Sequence, residues 1–346
     1  MIGYRRADLM ARVLARVAEA RPRRLYIALD GPADDAVTDA CAAVRVLFDG
    51  ANFPGVETLK YNIATTNLGC AERVRSAIDW VFETEPTAII LEDDTLPARE
   101  WFGWAEQMLD THRDDPQAGM VCARNALVTW PADGVGYFRS RWSTIWGWAT
   151  WRARWQAHRA QPLAAPEAVR QRWPDDPEIG AYRAYLAASD IGARQDTWDY
   201  AWGLWLEANA LDNLVPARNW AENIGFDHRA THTHKHTDPR GSEPVAAPDT
   251  PTLERPNAGF DILALFSELI YSGMLQDPRK WELLARNRDK LPLPGQMAGW
   301  EAYLLPYKRP ALTRRLLDHL STQIGSEPPE FGNLRAALVR WEKAAT

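Results

Sequence analysis

The stretch TAIILEDDTLP at residues 87–97 decides the fold. Its first five residues form an uncharged, largely apolar run, which is typical of a buried strand, and the run ends in three acidic residues and a proline. Strand-like runs also occur at 24–32 and 56–63, while helical patterns cover 70–83 and 99–112. This alternation predicts βαβ units. The expected fold class is therefore α/β, with a mostly parallel, Rossmann-like central sheet flanked by helices.

The composition indicates a globular protein. Of 346 residues, 46% are hydrophobic and 25% are charged, which excludes a disordered chain. The net charge of −6 argues against a non-specific nucleic-acid binder, which needs a basic face. The three Cys residues lack the spacing of a zinc site or a disulfide framework. No stretch has the pattern of a secretory signal or a membrane span, so a cytoplasmic protein is expected.

Polar residues follow the predicted strands. Asp30 ends the run at 24–32, Asn67 precedes the helix that carries Arg73, and residues 92–94 follow the run TAIIL. Ligands bind at the carboxyl ends of parallel strands, so these residues are expected at one edge of the sheet. Three adjacent carboxylates repel one another unless a cation is near, and hard oxygen ligands suit Mn²⁺ or Mg²⁺. The alternative is a simple acidic turn before Pro97.

Nucleotide contacts are the second expectation for this edge. Tyr4 can stack on a base, Asp30 can accept hydrogen bonds from a base edge, and Arg5, Arg6 or Arg73 can meet phosphate. Each feature also has an ordinary explanation, since Asp-Gly is usually a turn and Asn-x-Gly is usually a loop.

The middle of the chain is unusually rich in tryptophan. Indole faces pack against the apolar faces of sugar rings, yet large aromatic residues also dominate ordinary cores. We expect most of these indoles in the core, and Trp148, after Gly147, at a wall of the donor or acceptor site. The five residues are Trp142, Trp146, Trp148, Trp151 and Trp155.

Two carboxylates flank Trp198 at the start of a predicted helix. Asp196 can be the helix N-cap, which is the common role of such a residue. Asp199 lies in the first turn, where the helix dipole keeps a carboxylate ionised, as a general base must be. Further along, four His residues follow, and either a metal-binding residue among them, His232 or His234, or a solvated polar loop is consistent with that pattern.

The series YRR, LYIALDGP, NLGCAERV and IILEDD, in that order and spacing, resembles the nucleotide-binding half of GT-A fold glycosyltransferases. The segments at 139–155, 196–202 and 223–234 are similar to a bacterial group of nucleotide-diphospho-sugar transferases labelled "hemolytic protein-like". A more distant likeness is to the eukaryotic enzyme that starts complex N-glycan branching by adding N-acetylglucosamine. The resemblance covers roughly residues 2–236.

The resemblance implies an inverting, metal-dependent transfer of a hexosyl or N-acetylhexosaminyl group. The donor is a nucleotide-diphosphate sugar, and the acceptor is a glycan or lipid-linked glycan of a surface-glycan pathway. Asp94 would bind Mn²⁺ or Mg²⁺, His232 would join it, and Asp199 would be the base. The residues expected around the donor are Tyr4, Arg5, Asp30, Asn67, Arg73, Glu92, Asp93 and Trp148.

A cluster of Pro and Thr residues near 245–256 indicates a domain boundary, and apolar stripes beyond it indicate helices. We expect a catalytic domain over 1–245, with a nucleotide-sugar-binding half (1–125) and an acceptor half (126–245), and then a helical C-terminal region over 246–346. In that last region YKRPALTRRLLDHL, at 307–320, sets basic residues beside an apolar stripe. This pattern favours packing on the catalytic domain or, alternatively, peripheral contact with the inner membrane face.

One departure and two alternatives accompany this interpretation. GT-A chains usually have a full apolar strand before the Tyr4 position, but here only Met1-Ile2-Gly3 precedes it. A sugar-1-phosphate nucleotidyltransferase would need a Gly-rich phosphate loop near the N-terminus, and IGYRRAD is not one. A non-catalytic sugar-binding or scaffold protein on the same fold would be indicated by loss of the acidic residues or the base, and both are present.

Overall fold

The computed structural model describes residues 1–49, 53–125, 136–174, 177–194, 196–230, 245 and 332–343. The elements of the first third are β1 (Ile2–Gly3), α1 (Ala7–Ala20), β2 (Arg24–Leu29), α2 (Thr38–Val46), β3 (Thr58–Ile63), α3 (Gly69–Phe82), β4 (Thr87–Ile90), β5 (Thr95–Pro97), α4 (Arg99–Thr111) and β6 (Ala118–Cys122). The later elements are β7 (Tyr137–Ser140), β8 (Trp148–Trp151), α5 (Arg152–Ala160), α6 (Pro166–Gln171), α7 (Pro177–Ala188), α8 (Ile191–Arg194), α9 (Asp199–Ala208), β9 (Asp212–Pro216), β10 (Ala221–Asn223) and α10 (Gly332–Lys343).

One mixed sheet organises these elements. Strands β3, β2 and β1 pair in parallel, and the Ile2 amide donates to the Leu91 carbonyl (2.9 Å), which joins β1 to the end of β4. The sheet continues in the order β4, β8, β6, β9, β7, and β5 pairs separately with β10. The α/β fold class predicted from the sequence is confirmed.

Two strands depart from the parallel arrangement. β8 lies antiparallel between β4 and β6, and β7 lies antiparallel beside β9. Neither strand was predicted from the sequence. All four residues of β8, WATW, are buried, so the strand has no alternation of polar and apolar residues that would reveal its period.

Helices cover both faces of the sheet. On one face α1 and α4 pack Val13, Leu109 and their neighbours against Leu25 and Ile27 of β2. On the other face the ring of Tyr26 meets Trp80 of α3 edge-on, 5.1 Å between ring centres. Three apolar residues of α1 at i, i+4 and i+8 spacing, Leu9, Val13 and Val17, are all buried, which is the pattern of an amphipathic helix packed on a core.

Aromatic residues fill the space between β8, α5 and α9. The five Trp residues of segment 139–155 are all buried, as predicted for most of them. Trp148 stacks on Trp198 with ring centres 5.2 Å apart, and Trp202 stacks on Trp205 at 5.6 Å. His158 lies among these rings and is 1% exposed. This aromatic cluster is a second core of the molecule.

Several predictions concern residues outside the described ranges. These are the metal-binding role of His232, the domain boundary near 245, and the amphipathic segment 307–320. Of the expected helical C-terminal region, the structure describes helix α10, in which Ala337 and Leu338 are buried. Among the described helices, none combines the length and the hydropathy that a membrane crossing requires.

Candidate functional site

The carboxyl ends of β1 to β4 meet along one margin of the sheet, which we call the polar edge. It consists of residues 4–6 after β1, Asp30 and Gly31 after β2, Asn67 after β3, and the acidic triplet 92–94 after β4. Because these strands run in parallel, each of them continues into its loop at the same margin of the sheet, and this forms the polar edge. The expectation that these residues share one edge is confirmed.

Asp30 ties the loops after β2 and β3 together. The Asp30 carboxylate is 4% exposed and accepts hydrogen bonds from the Gly31 and Leu68 amides, both at 2.9 Å. The Asn67 side-chain amide donates to Asp30 Oδ2 at 3.0 Å. Any Cβ at Gly31 would lie 2.5 Å from the backbone of Thr66, so this position needs glycine. Burial raises the pKa of Asp30 above its usual range.

The acidic triplet meets one guanidinium. Nη2 of Arg6 donates to Asp93 Oδ1 (2.5 Å) and to Asp94 Oδ2 (2.8 Å). Burial raises the pKa of Glu92 above its usual range, and the neighbouring charges of Asp94 and Asp93 raise it further. Burial also raises the pKa of Asp93, although Arg6 opposes that shift. Arg6 was predicted as a possible phosphate contact, and its pairing with two carboxylates 87 and 88 positions away was not predicted.

The loop after β10 closes against the acidic triplet. Pairing of β5 with β10 brings the Ile224 amide to the Asp94 carbonyl (2.8 Å), and Arg6 Nη1 donates to the Gly225 carbonyl (3.3 Å). A Cβ at Gly225 would lie 2.2 Å from Asp94 Oδ2, so only glycine fits this close approach. Arg5 also reaches this loop, since its Nη2 donates to the Arg229 carbonyl at 3.0 Å. The segment 223–230 is therefore part of the site.

Asp199 and Asp196 have different surroundings. Asp199 is the first residue of α9, and its charge contributes to the raised pKa of Glu92, which places it beside the acidic triplet. Asp196 accepts hydrogen bonds from the Cys70 and Ala71 amides at 3.1 and 3.2 Å. Asp196 therefore caps α3, and not the helix that follows it in the chain. Asp196 therefore has a structural role here, and the assignment of Asp199 as the base stays a prediction.

Trp148 does not form an open wall of the site, which corrects the prediction for it. The indole is 1% exposed and stacks beneath Trp198, the residue before Asp199. The prediction placed Trp148 on a loop, but it is the first residue of β8 and so points into the core. Its role is to support the segment that carries Asp199.

The other predicted donor contacts lie at or below the polar edge. Arg73 is 3% exposed and donates to Asn62 Oδ1 at 3.2 and 3.3 Å, so it supports the edge from within. Burial lowers the pKa of Arg73. Tyr4 is half-buried, and the Arg5 guanidinium lies 5.3 Å from its ring centre. Donor binding by these residues stays a prediction.

The acidic triplet supplies the right type of ligand for a hard divalent ion, namely carboxylate oxygen. However, Arg6 spans two of the carboxylates, and the described ranges contain no group of three or more His, Cys, Asp or Glu side chains arranged to hold a metal. His232, the predicted further ligand, is outside those ranges. Metal binding at Asp94 stays a prediction.

No family model matches the chain, and no curated protein sequence matches it either. Among solved structures, the chain is similar to residues 1–349 of TarS from S. aureus. The identity is 10%, the match covers 94% of this chain and 90% of that one, and the TM-score is 0.40.

Proposed function

We propose that the protein is a glycosyltransferase that moves a sugar from a nucleotide-diphosphate donor to an acceptor hydroxyl with inversion. The observation that carries this proposal is the meeting, at one sheet edge, of the Asp30–Asn67 pair, the acidic triplet and Asp199. Strand ends are where nucleotides bind in α/β sheets. A nearby carboxylate at a helix start can serve as a base.

The proposed reaction is one displacement. The carboxylate of Asp199 takes the proton of the acceptor hydroxyl, whose oxygen attacks the anomeric carbon. The new oxygen–carbon bond forms as the bond from that carbon to the diphosphate oxygen breaks on the opposite face, which inverts the configuration. Asp30 and Asn67 hold the nucleoside, and Glu92 and Asp93 lie by the ribose and sugar.

Metal dependence is part of the proposal. Asp94 would hold Mn²⁺ or Mg²⁺ together with diphosphate oxygens, and His232 is the proposed additional ligand. Such an ion supplies Lewis-acid stabilisation of the leaving diphosphate. The Arg6 guanidinium lies on the same carboxylate, so it is positioned to compensate the charge of Asp94 before the donor and metal arrive.

A thermal-shift experiment tests donor and metal binding together. Nucleoside diphosphates and nucleotide sugars are added with Mn²⁺, with Mg²⁺ or with a chelator. A ligand at about 100 times its Kd stabilises the native state by about 2.7 kcal/mol, which is readily visible as a rise in Tm. Asp94→Asn should abolish the metal-dependent part and leave the unliganded Tm nearly unchanged.

The matched control is Asp114→Asn. Asp114 is exposed in the turn after α4, at the amino end of β6 and so away from the polar edge. This variant should keep the full metal-dependent shift. If Asp94→Asn keeps it as well, the acidic triplet is a turn and not a metal site. Donor binding without turnover of any acceptor would favour the sugar-binding alternative.

We further propose a glycan or lipid-linked glycan as the acceptor, used in the cytoplasm during surface-glycan synthesis. Contact with the inner membrane face would come from segment 307–320, whose basic residues suit anionic lipid. Sedimentation with vesicles that contain or lack anionic lipid tests this contact. Equal sedimentation with both vesicle types would remove the membrane part of the proposal and leave the transfer reaction untouched.

A further inference from the structure

The guanidinium of Arg6 lies in front of Asp94, the residue proposed to hold the metal ion. Its Nη2 donates to Asp94 Oδ2 at 2.8 Å, and the side chain of Asp94 is 14% exposed. Gly225 packs on the same oxygen, since a Cβ there would lie 2.2 Å from Asp94 Oδ2 and 2.6 Å from Arg6 Nη1. A divalent ion contacts its carboxylate oxygens at about 2.0–2.6 Å. Arg6 and such an ion therefore compete for the carboxylate of Asp94.

The backbone of Arg6 is fixed, so its side chain is the part that can give way. Arg6 precedes α1, and its carbonyl accepts a hydrogen bond from the Met10 amide of that helix at 2.9 Å. Two residues later, Asp8 accepts from the Arg229 guanidinium at 2.7 and 2.9 Å, which ties the start of α1 to the loop after β10. Arginine has a long side chain with much rotamer freedom. Release of Asp94 therefore requires a rotation of this side chain and no movement of the backbone.

The two carboxylates hold Arg6 unequally. Nη2 of Arg6 lies 2.5 Å from Asp93 Oδ1 and 2.8 Å from Asp94 Oδ2, and the side chain of Asp93 is the more buried of the two, at 7% against 14% exposed. Nη1 of Arg6 also donates to the Gly225 carbonyl at 3.3 Å. Asp94 is thus the contact that Arg6 gives up most easily, while Asp93 and Gly225 keep the guanidinium beside the site.

The charge of the site decides when this exchange is favourable. Two carboxylates that face one guanidinium leave an excess of negative charge, which attracts a cation. With a divalent ion on Asp94, the site has an excess of positive charge next to Arg6, and like charges in a partly buried site repel. The diphosphate of a nucleotide sugar supplies the missing negative charge, and its oxygens suit the planar fork of a guanidinium. Metal binding at Asp94 is therefore unfavourable without the diphosphate and favourable with it.

We propose that Arg6 is an internal cation that competes with Mn²⁺ or Mg²⁺ for Asp94, and that the donor diphosphate relieves this competition by drawing the guanidinium away from Asp94. Arg6 thereby makes metal binding depend on the donor. This role of Arg6 rests on the proposed function, which supplies the metal at Asp94 and the diphosphate donor. Its specific consequence is that removal of Arg6 strengthens metal binding to the nucleotide-free protein.

Binding of Mn²⁺ to the nucleotide-free protein tests the competition. The EPR signal of free Mn²⁺ falls as the ion binds, so a titration gives the Kd. Arg6→Gln should bind Mn²⁺ at least about tenfold more tightly than the parent protein, a change of the size that couples two sites. The matched control is Arg12→Gln, which removes the same charge from an exposed position on α1 and should leave the Kd unchanged. Equal Kd values for Arg6→Gln and the parent protein, or no measurable binding to Arg6→Gln, would overturn the proposal.

Two further variants make this measurement specific. Adding Asp94→Asn to Arg6→Gln should abolish the gain in Mn²⁺ affinity, and a gain that persists would place the ion elsewhere and contradict the proposal. Arg6→Lys keeps the charge but loses the hydrogen bond to the Gly225 carbonyl, so it holds Asp94 less firmly and should bind Mn²⁺ about threefold more tightly than the parent protein. If circular dichroism shows that Arg6→Gln does not fold, Arg6→Lys takes its place, and an unchanged Kd there would overturn the proposal.

Calorimetric titration with nucleoside diphosphates tests whether the diphosphate relieves the competition. The probes are UDP, GDP, CDP and dTDP, each titrated with excess Mn²⁺ or with a chelator. The gain in affinity that Mn²⁺ brings should be at least about tenfold larger in the parent protein than in Arg6→Gln, because coupling between two binding sites is reciprocal. An equal gain would overturn the proposal. If none of the four probes binds, the transferase proposal fails, and the Mn²⁺ titration alone then decides whether Arg6 competes for Asp94.

Discussion

Two groups of buried charge differ in their balance. At the polar edge, the guanidinium of Arg6 meets two carboxylates, those of Asp93 and Asp94. Between α7 and α9, Arg183 and Glu207 pair one to one, with side chains 4% and 0% exposed. The first group has excess negative charge, and the second has none.

The second group is also saturated with hydrogen bonds. Arg183 Nε donates to Glu207 Oε1 at 3.0 Å, and the indole N–H of Trp173 donates to Glu207 Oε2 at 2.9 Å. The Arg183 guanidinium lies 4.2 Å from the ring centre of Trp142. We infer that the balanced pair has a structural role in the fold. The group with excess negative charge, in contrast, can interact with a charged ligand.

Removing the proposed base should have the largest effect. Asp199→Asn keeps the shape of the side chain and removes its basicity, so kcat should fall by about 10²–10⁴-fold while donor binding survives. Initial rates and donor thermal shifts measure the two separately. The control is Asp196→Asn, which should keep near-normal turnover. Normal turnover in Asp199→Asn with a dead Asp196→Asn would reverse the assignment, and normal turnover in both would refute the inverting mechanism.

Breaking the Arg183–Glu207 pair should lower the free energy of unfolding and leave the rate of the reaction unchanged. Glu207→Gln leaves the buried guanidinium of Arg183 without a counter-charge, which typically costs about 3–5 kcal/mol. Urea unfolding measures it. Glu167→Gln is the matched control, because Glu167 pairs with Arg170 at the surface, and exposed pairs contribute about 0–1 kcal/mol. If both variants lose a similar free energy of unfolding, the buried Arg183–Glu207 pair stabilises the protein no more than an exposed pair does.

The aromatic cluster contains a buried titratable group, His158, whose burial should make stability depend on pH. Burial lowers the pKa of His158 from 6.5 to about 4, and the charges of Arg159 and Arg75 add to this. The unfolded chain therefore binds more protons between these values, so stability falls as pH drops from about 6.5 to 4, by about 3 kcal/mol.

His158→Gln should remove that part of the acid sensitivity, as measured by urea unfolding at pH 7 and pH 4.5. His228→Gln, at an exposed position, should keep it. The Met1 amine, whose pKa is lowered to about 5, adds sensitivity at higher pH in every variant, so the comparison is between the two His variants. Equal pH dependence in both would contradict a buried, neutral His158.

The smallest expected effect is on stability and concerns Asp196, the carboxylate with a structural role, as opposed to Asp199, the proposed base. Asp196→Ala removes the cap of α3 and should lower the free energy of unfolding by about 1 kcal/mol. Asp196→Asn retains a capping oxygen and should cost less. If the two substitutions are equally costly, the hydrogen bonds to the Cys70 and Ala71 amides do not stabilise α3.

The predictable part of the molecule is the part governed by local pattern. Helices α3 and α4 and strand β4 follow from the local pattern of their apolar residues, and the shared edge of Asp30 and Asn67 follows from parallel topology. The unpredicted part depends on distant contacts. The pairing of Arg6 with Asp93 and Asp94 and the capping of α3 by Asp196 join residues about 90 and 125 positions apart. No local period encodes such a contact.

The central place of β1 has a consequence for the order in which the protein is made and folded. Ile2 is synthesised well before its partner, because its amide bonds to Leu91, about 90 residues later. At about 5–20 residues per second, roughly 4–18 s pass between the two. During that interval β2 and β3 can pair, but the side of β1 that faces β4 has no strand to meet. The sheet therefore closes late, and until then β1 exposes an unpaired edge of the kind that favours aggregation.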